Sequence, residues 1–350
     1  ARMIPATYQR ATAIADAVSA LADAGPERDV RPVAGGTNLL DLMKLQLVNP
    51  DSLVDINRLP LDAIELGEDG GLRLGATARN ADTAWHPLVE TGYPLLSAAM
   101  LAAASPQIRN MASNGGNLLQ RTRCTYFYDH ATPCNKRVPG SGCSAIGGLT
   151  KYHAILGASE HCIATHPSDM CVALAALDAT VHVRSRRGSR AIPFTEFHRL
   201  PGDRPQEDTT LAPDELIERI ELPPMQRFAA HSAYLKLRER LSYAFALVSV
   251  AAALELDAAG RIVDARLALG SVAHKPWRRP EAEALLSGQH PSREVFAAAA
   301  DALLSGAVSQ GQNAFKIPLA RRAVIRALEA ASRGTVTNQG RAPSTPEHTA

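Results

Sequence analysis

Four cysteines, Cys124, Cys134, Cys143 and Cys162, share one stretch of the chain, with nine, eight and eighteen residues between successive members. Thiolates are soft metal ligands, and four of them suffice for a metal site or for two covalent staples. The spacings match neither the C-x2-C pairs of a zinc ribbon nor a ferredoxin run. An iron–sulfur cluster, zinc and two disulfides therefore all remain open. Arg121, Arg123, Lys136 and Arg137 lie among these cysteines and favour an anionic thiolate cluster. Cys171, the fifth cysteine, sits in the apolar run Met170-Cys171-Val172-Ala173-Leu174, where a free thiol reads as a small core hydrophobe.

The segment that carries the four thiols, residues 120–164, is rich in Gly, Pro and Cys and has no sustained periodicity. Such a segment needs a covalent or metal staple to be ordered. It is flanked by Ala112-Ser113-Asn114-Gly115-Gly116-Asn117-Leu118-Leu119, a small-residue turn that offers amides to an anion, and by Thr165-His166-Pro167-Ser168-Asp169, which reads as a capped helix start. A second small-residue turn, Gly35-Gly36-Thr37-Asn38, joins a strand at residues 30–34 to a helix at residues 39–44. Glycines there let backbone approach a phosphate; the plain alternative is a tight turn without a ligand. The turn is neither a P-loop nor G-x-G-x-x-G.

The elements that must position these groups follow from periodicity. An alanine-rich amphipathic helix is expected over residues 9–24, strands at 53–56 and 72–76, and a helix at 95–104. Beyond the cysteine segment, Ser168 and Asp169 cap a helix to about Leu177, and residues 179–184 alternate as a strand. Residues 201–213 read as a polar, proline-bearing linker. Strands at 216–222, 234–237, 244–256 and 262–273 come next, then helices near 281–287, 293–305 and 319–331. Strands followed by helices predict an α+β domain with helices on one sheet face. The polar residues 335–350 are expected to be disordered.

A length of 350 residues allows two or three cores, and a net charge of +2 argues against nucleic acid or a membrane surface as partner. The longest apolar run, residues 243–256, falls short of the roughly 20 residues that span a bilayer, and the first residues lack an apolar leader core. The expectation is a chain with no export or anchoring signal of its own and no membrane span.

Five motifs in order carry a family resemblance: Ala34-Gly35-Gly36-Thr37-Asn38-Leu39-Leu40, Gly115-Gly116-Asn117, Pro167-Ser168-Asp169, Tyr234-Leu235-Lys236, and Gly270-Ser271-Val272-Ala273-His274-Lys275-Pro276-Trp277-Arg278. Together they resemble the FAD-binding medium subunit of the xanthine dehydrogenase family of molybdenum hydroxylases, over about residues 3–333. In most of that family the Gly-Gly-Asn turn and the Ser-Asp pair are a few residues apart. Their separation by a cysteine insert is similar to members with an additional [4Fe-4S] cluster. The segment from Cys134 to Cys143 is most similar to the flavoprotein subunit of three-subunit bacterial aldehyde oxidoreductases, known in periplasmic form; the 4-hydroxybenzoyl-CoA reductase flavoprotein subunit is the nearer rival within the family.

The resemblance implies an α+β fold: a two-part FAD-binding domain of the vanillyl-alcohol-oxidase/CO-dehydrogenase-flavoprotein type over residues 1–230, containing the insert, and a C-terminal α+β domain over 231–334. It implies FAD held by Arg31, Pro32, Val33, Ala34, Gly35, Gly36, Thr37, Asn38 and Leu39 on one wall and by Ser113, Gly116, Asn117 and Leu119 on the other. Asp169 is expected on the nucleotide sugar hydroxyls, Ile217 at the adenosine part and Lys236 near the isoalloxazine. Asn38 replaces an aspartate frequent at its place. Cys124, Cys134, Cys143 and Cys162 are the expected [4Fe-4S] ligands. The implied function is electron transfer in a molybdenum-dependent aldehyde oxidoreductase. Its molybdenum cofactor and [2Fe-2S] centres lie on a large and a small partner subunit, and electrons leave the FAD for an external acceptor, so this chain needs no catalytic base. Implied localisation is the periplasm, by co-export with a partner bearing a twin-arginine signal, or else the cytoplasm. A stand-alone flavin oxidase and a zinc-stapled interaction protein are the rivals from other classes.

Overall fold

The computed structural model describes residues 3–25 and 27–336. A three-stranded parallel sheet opens the chain, in the order Thr7–Arg10, Ser52–Asp55, Val30–Val33. Helix Ile14–Leu21 covers it with Ala17, Val18 and Leu21. The helix expected over residues 9–24 is therefore shorter. Thr7–Arg10 is an exposed edge strand, and the Asp16 carboxylate accepts from the Ala13 amide at 2.9 Å and the Thr12 hydroxyl at 2.6 Å, which fixes the helix start.

The second sheet is antiparallel, in the order Ile64–Leu66, Leu72–Gly75, Leu216–Leu222, Thr180–Ser185, Gly188–Pro193. Leu216–Leu222 is its central strand, so the pattern that made it the first strand of the C-terminal domain is corrected. It returns after the insert to pair with a strand some 145 residues earlier, Leu72 facing Leu222. Gly188–Pro193 escaped the sequence because only Ile192 of it is buried, leaving no alternation to read.

The C-terminal sheet runs Trp277–Arg278, Ile262–Gly270, Val248–Leu256, Ser232–Leu237, all antiparallel. Its two faces differ in side-chain size. Val248, Val250, Ala252 and Leu254 pack with helices Arg293–Leu303 and Lys316–Ser332, whereas Ala251 and Ala253 turn to the first domain. Against that small-residue face lies helix Asp169–Ala176, buried on every side as its unbroken apolar composition requires. The approach is close enough that a Cβ on Gly270 would overlap Val172 and Ser249. The C-terminal domain's own helices thus lie on one face, as expected, and the first domain supplies the other layer.

Residues 120–164 form one helical turn, Thr125–Tyr128, within a succession of turns. Residues 201–213 are irregular too, but they are no simple linker: half-buried Asp208 pairs with Lys136 of the insert. The expected disordered tail falls outside the described residues from 337 onward. Thr335 belongs to the fold, its amide donating to the Ala230 carbonyl at 2.8 Å and its hydroxyl accepting from the Ser232 amide at 2.6 Å. Among the described residues no helix is long and apolar enough to cross a membrane.

Candidate functional site

A cleft of about 1580 Å³ runs between the parallel sheet, the turn at residues 112–119 and the start of helix Asp169–Ala176. Residues 31–39, Ser113, Gly116, Asn117, Leu119, Asp169 and Ile217 all line it, so fifteen of the sixteen residues predicted to hold FAD share one wall system. The two glycine turns interlock behind that wall. A Cβ on Gly35 would overlap the Met111 carbonyl, and Gly36 has φ +70°, which favours glycine. Among the described residues no backbone bond outside helices and strands takes a donor from Gly36, Thr37 or Asn38. These amides suit an extended polyanion laid along the turn.

Side chains brace the cradle. Ser113 caps its turn by accepting from the Gly116 amide at 3.3 Å, and the Asn117 amide nitrogen donates to Asn80 Oδ1 at 2.8 Å. The Ser168 hydroxyl donates to Asn117 Oδ1 at 2.5 Å, which ties the second wall to the helix start. Asn38 Oδ1 accepts from the Arg121 amide at 2.9 Å, while its buried Nδ2 has no protein partner. An unpartnered buried donor on the wall of a polar cleft fits a ligand acceptor.

Lys236 pairs with a carboxylate of the cleft wall. It is absent from the lining of the cleft, and its ammonium donates to Asp169 Oδ2 at 2.7 Å and to the Ala102 carbonyl at 3.1 Å. Tyr234 donates to the other Asp169 oxygen at 2.8 Å. Both carboxylate oxygens thus have protein donors from the neighbouring strand. A buried lysine and a buried aspartate at contact distance neutralise each other, so Lys236 meets the cleft wall through Asp169. Sequence spacing cannot reveal this pairing across 67 residues.

The four thiols converge on one small cavity beside the cleft, with Lys136 and Asn135 on its wall. Cys134 and Cys143 face each other as backbone bridge partners, and the Cys143 and Cys162 thiols interact. That neighbour lowers the Cys143 thiol to about 6, and the Cys162 thiol is raised. All five cysteines are free, which removes the disulfide alternative from this structure. His153 Nε2 contacts Cys124 at 3.1 Å and His274 Nε2 contacts Cys162 at 3.3 Å. Burial pushes these imidazoles down, to about 4 and about 3, so both are neutral. The insert holds its shape through Asn135, whose backbone and side chain exchange bonds with Gly142 at 2.7 and 2.8 Å. Cys124 lines the cavity and the cleft alike.

Sequence reading missed Asp208, which joins the two sites: it pairs with Lys136 and Arg121, each at 2.5 Å. A lone aspartate in a proline-bearing stretch carries no signal of this. A separate buried group, His166, Cys171 and His198, gathers within 4.8 Å. It is a poor metal set, because His166 Nδ1 accepts from the Ser168 amide, His198 Nε2 donates to the Leu118 carbonyl, and burial raises the Cys171 thiol to about 12. Cys171 is core, as its apolar neighbours suggested.

Comparison with known proteins agrees with this geometry. Residues 4–225 match the model of the FAD binding domain in molybdopterin dehydrogenase, and residues 232–331 match the CO dehydrogenase flavoprotein C-terminal domain. The aldehyde oxidoreductase FAD-binding subunit PaoB of Escherichia coli is 50% identical over 85% of this chain and 89% of its own length. The putative xanthine dehydrogenase FAD-binding subunit XdhB of the same organism is 30% identical over 79% of this chain and 78% of its own. A solved carbon monoxide dehydrogenase from Hydrogenophaga pseudoflava superimposes with a TM-score of 0.74 at 26% identity, covering 96% of this chain and 100% of the other. An interaction protein without flavin is thereby set aside. The chain belongs to the FAD-binding medium subunits of the molybdenum hydroxylase family, built from that FAD-binding domain and the CO dehydrogenase flavoprotein C-terminal domain.

Proposed function

We propose that this chain is the electron-transfer subunit of a molybdenum-dependent aldehyde oxidoreductase, carrying FAD in the cleft and a [4Fe-4S] cluster on Cys124, Cys134, Cys143 and Cys162. The observation that carries the reading is the pairing of a full-length relative, 50% identical and named for aldehyde oxidation, with a four-thiol cavity adjoining the flavin cleft. The aldehyde step belongs to a large molybdopterin-binding partner, and electrons arrive through a small [2Fe-2S] partner.

Bound FAD supplies two-electron reduction and release of electrons to an external acceptor. The chain's own residues bind and orient it. Backbone of residues 35–38 and of the 113–117 turn would hold the pyrophosphate, and the strand at Ile217 would offer backbone contacts to the adenosine part. Asp169, held by Lys236 and Tyr234, fixes one side of the cleft.

Four thiols on one cavity wall, with no carboxylate or imidazole in the lining among the described residues, suit an iron–sulfur cluster, whose usual ligands are cysteine thiolates. We further place the complex in the periplasm, exported folded with a partner bearing a twin-arginine signal, because cofactors are inserted before crossing. Fractionation with and without the small subunit checks this, and periplasmic chain without a partner contradicts it.

The functional test uses the chain alone and in its complex. Dithionite reduces the flavin of both, whereas an aromatic aldehyde reduces it in the complex alone. Aldehyde bleaching of the flavin in the isolated chain contradicts the division of labour.

A further inference from the structure

Asp208 stands between the two cofactor sites and holds a cation belonging to each. Lys136 lines the thiol cavity and its Nζ is 2.5 Å from one of the Asp208 oxygens; Arg121 lines the cleft and its Nε is 2.5 Å from the other. The Lys136 side chain is only 1% exposed, and its other contact is the Pro205 carbonyl at 2.6 Å. Burial alone would raise the Asp208 carboxyl, but Arg121 and Lys136 outweigh it and hold it at about 2. The Asp208 carboxylate is therefore held ionised between the two side chains, in a half-buried place where charge is screened less than on the open surface.

Contacts outside the triad also hold the shape of the insert. Asn135 binds Gly142 and the His161 carbonyl at 2.9 Å, and Arg137 holds the carbonyls of Tyr126 and Phe127 at 2.9 and 2.8 Å. Arg121 also stacks over Phe127. Neighbours on both sides of Lys136 thus already order the loop. What Lys136 adds is charge, delivered to a cavity whose remaining lining is thiols, apolar groups and neutral dipoles.

We propose that the Lys136–Asp208–Arg121 triad tunes the reduction potential of the metal cluster bound by the four thiols. Lys136 favours the reduced form, which carries one more negative charge, and Asp208 both anchors that ammonium and partly offsets it. This rests on the iron–sulfur reading above.

The test is an anaerobic redox titration of the assembled complex, following the paramagnetic signal of the cluster identified by its loss in Cys134→Ser. Lys136→Met should move the midpoint potential down and Asp208→Asn should move it up. The double variant should return close to wild type, since it removes a neutral pair, and Lys136→Arg should stay close to wild type. Should Lys136→Met fail to assemble, Arg121→Gln gives a smaller downward shift to set against Asp208→Asn. Unchanged potentials, or shifts of the same sign, in variants with full iron content overturn the proposal and leave the triad a structural tie. A wild-type complex without iron overturns the underlying reading, and this proposal with it.

Discussion

Lys236 and Asp169 form an ion pair of 2.7 Å with side chains 3% and 5% exposed, joining the C-terminal sheet to the helix that borders the flavin cleft. Tyr234, two residues earlier on the same strand, completes the carboxylate's coordination. Removing one partner strands a buried charge, at a cost of about 3 to 5 kcal/mol. Lys236→Met and Asp169→Asn should each lower the denaturation midpoint strongly, while the double variant loses less than their sum. Strict additivity in chemical denaturation contradicts the pairing.

The interlocked glycine turn gives a steric prediction. Gly35→Ala places a methyl group on the Met111 carbonyl, so backbone must shift on both walls. Gly116→Ala meets only the Ser113 hydroxyl, at 2.9 Å. FAD retained after gel filtration should fall markedly in the first variant and less in the second. Equal, stoichiometric flavin in both would remove the assignment of this turn to the pyrophosphate.

Acid should weaken the FAD-binding domain through His198. Burial lowers its imidazole from 6.5 to about 4, and the neutral ring donates to the Leu118 carbonyl at 2.8 Å. The unfolded chain takes up this proton first, so the contribution is fully present above about pH 6.5 and is lost as pH falls toward 4; the shift corresponds to roughly 3 kcal/mol. Stability measured from pH 7.5 to 4.5 should fall less steeply in His198→Gln than in wild type. Parallel curves would show that His198 is not responsible.

Much of this arrangement is legible in the sequence because it is local. The glycine turns, the Ser168 cap and the apolar helix after it depend on residues within a few positions of one another, and the structure places them as read. The size alternation along Val248–Leu256 is local too, although which domain each face meets is not. The partner of Lys236 and the role of Asp208 depend on contacts across 67 and 72 residues, in a strand and a loop whose own composition is ordinary. The central place of Leu216–Leu222 was hidden for the same reason, since its partners lie on both sides of the insert.

Cys171 separates core from ligand. It is fully buried in helix Asp169–Ala176, and Cys171→Ser puts a hydroxyl into that core at about 1 to 3 kcal/mol. Iron content should not change, whereas serine at Cys124, Cys134, Cys143 or Cys162 should reduce it. Loss of iron in the Cys171 variant, at a temperature where it stays folded, would reassign the ligand set.

The most direct test of the account is cofactor stoichiometry in the full chain purified without oxygen. Flavin absorbance and metal analysis should give one FAD and about four irons per chain, with zinc absent. A chain holding flavin with one zinc, or flavin with neither metal, would contradict the claim that these four thiols hold an iron–sulfur cluster beside the cleft.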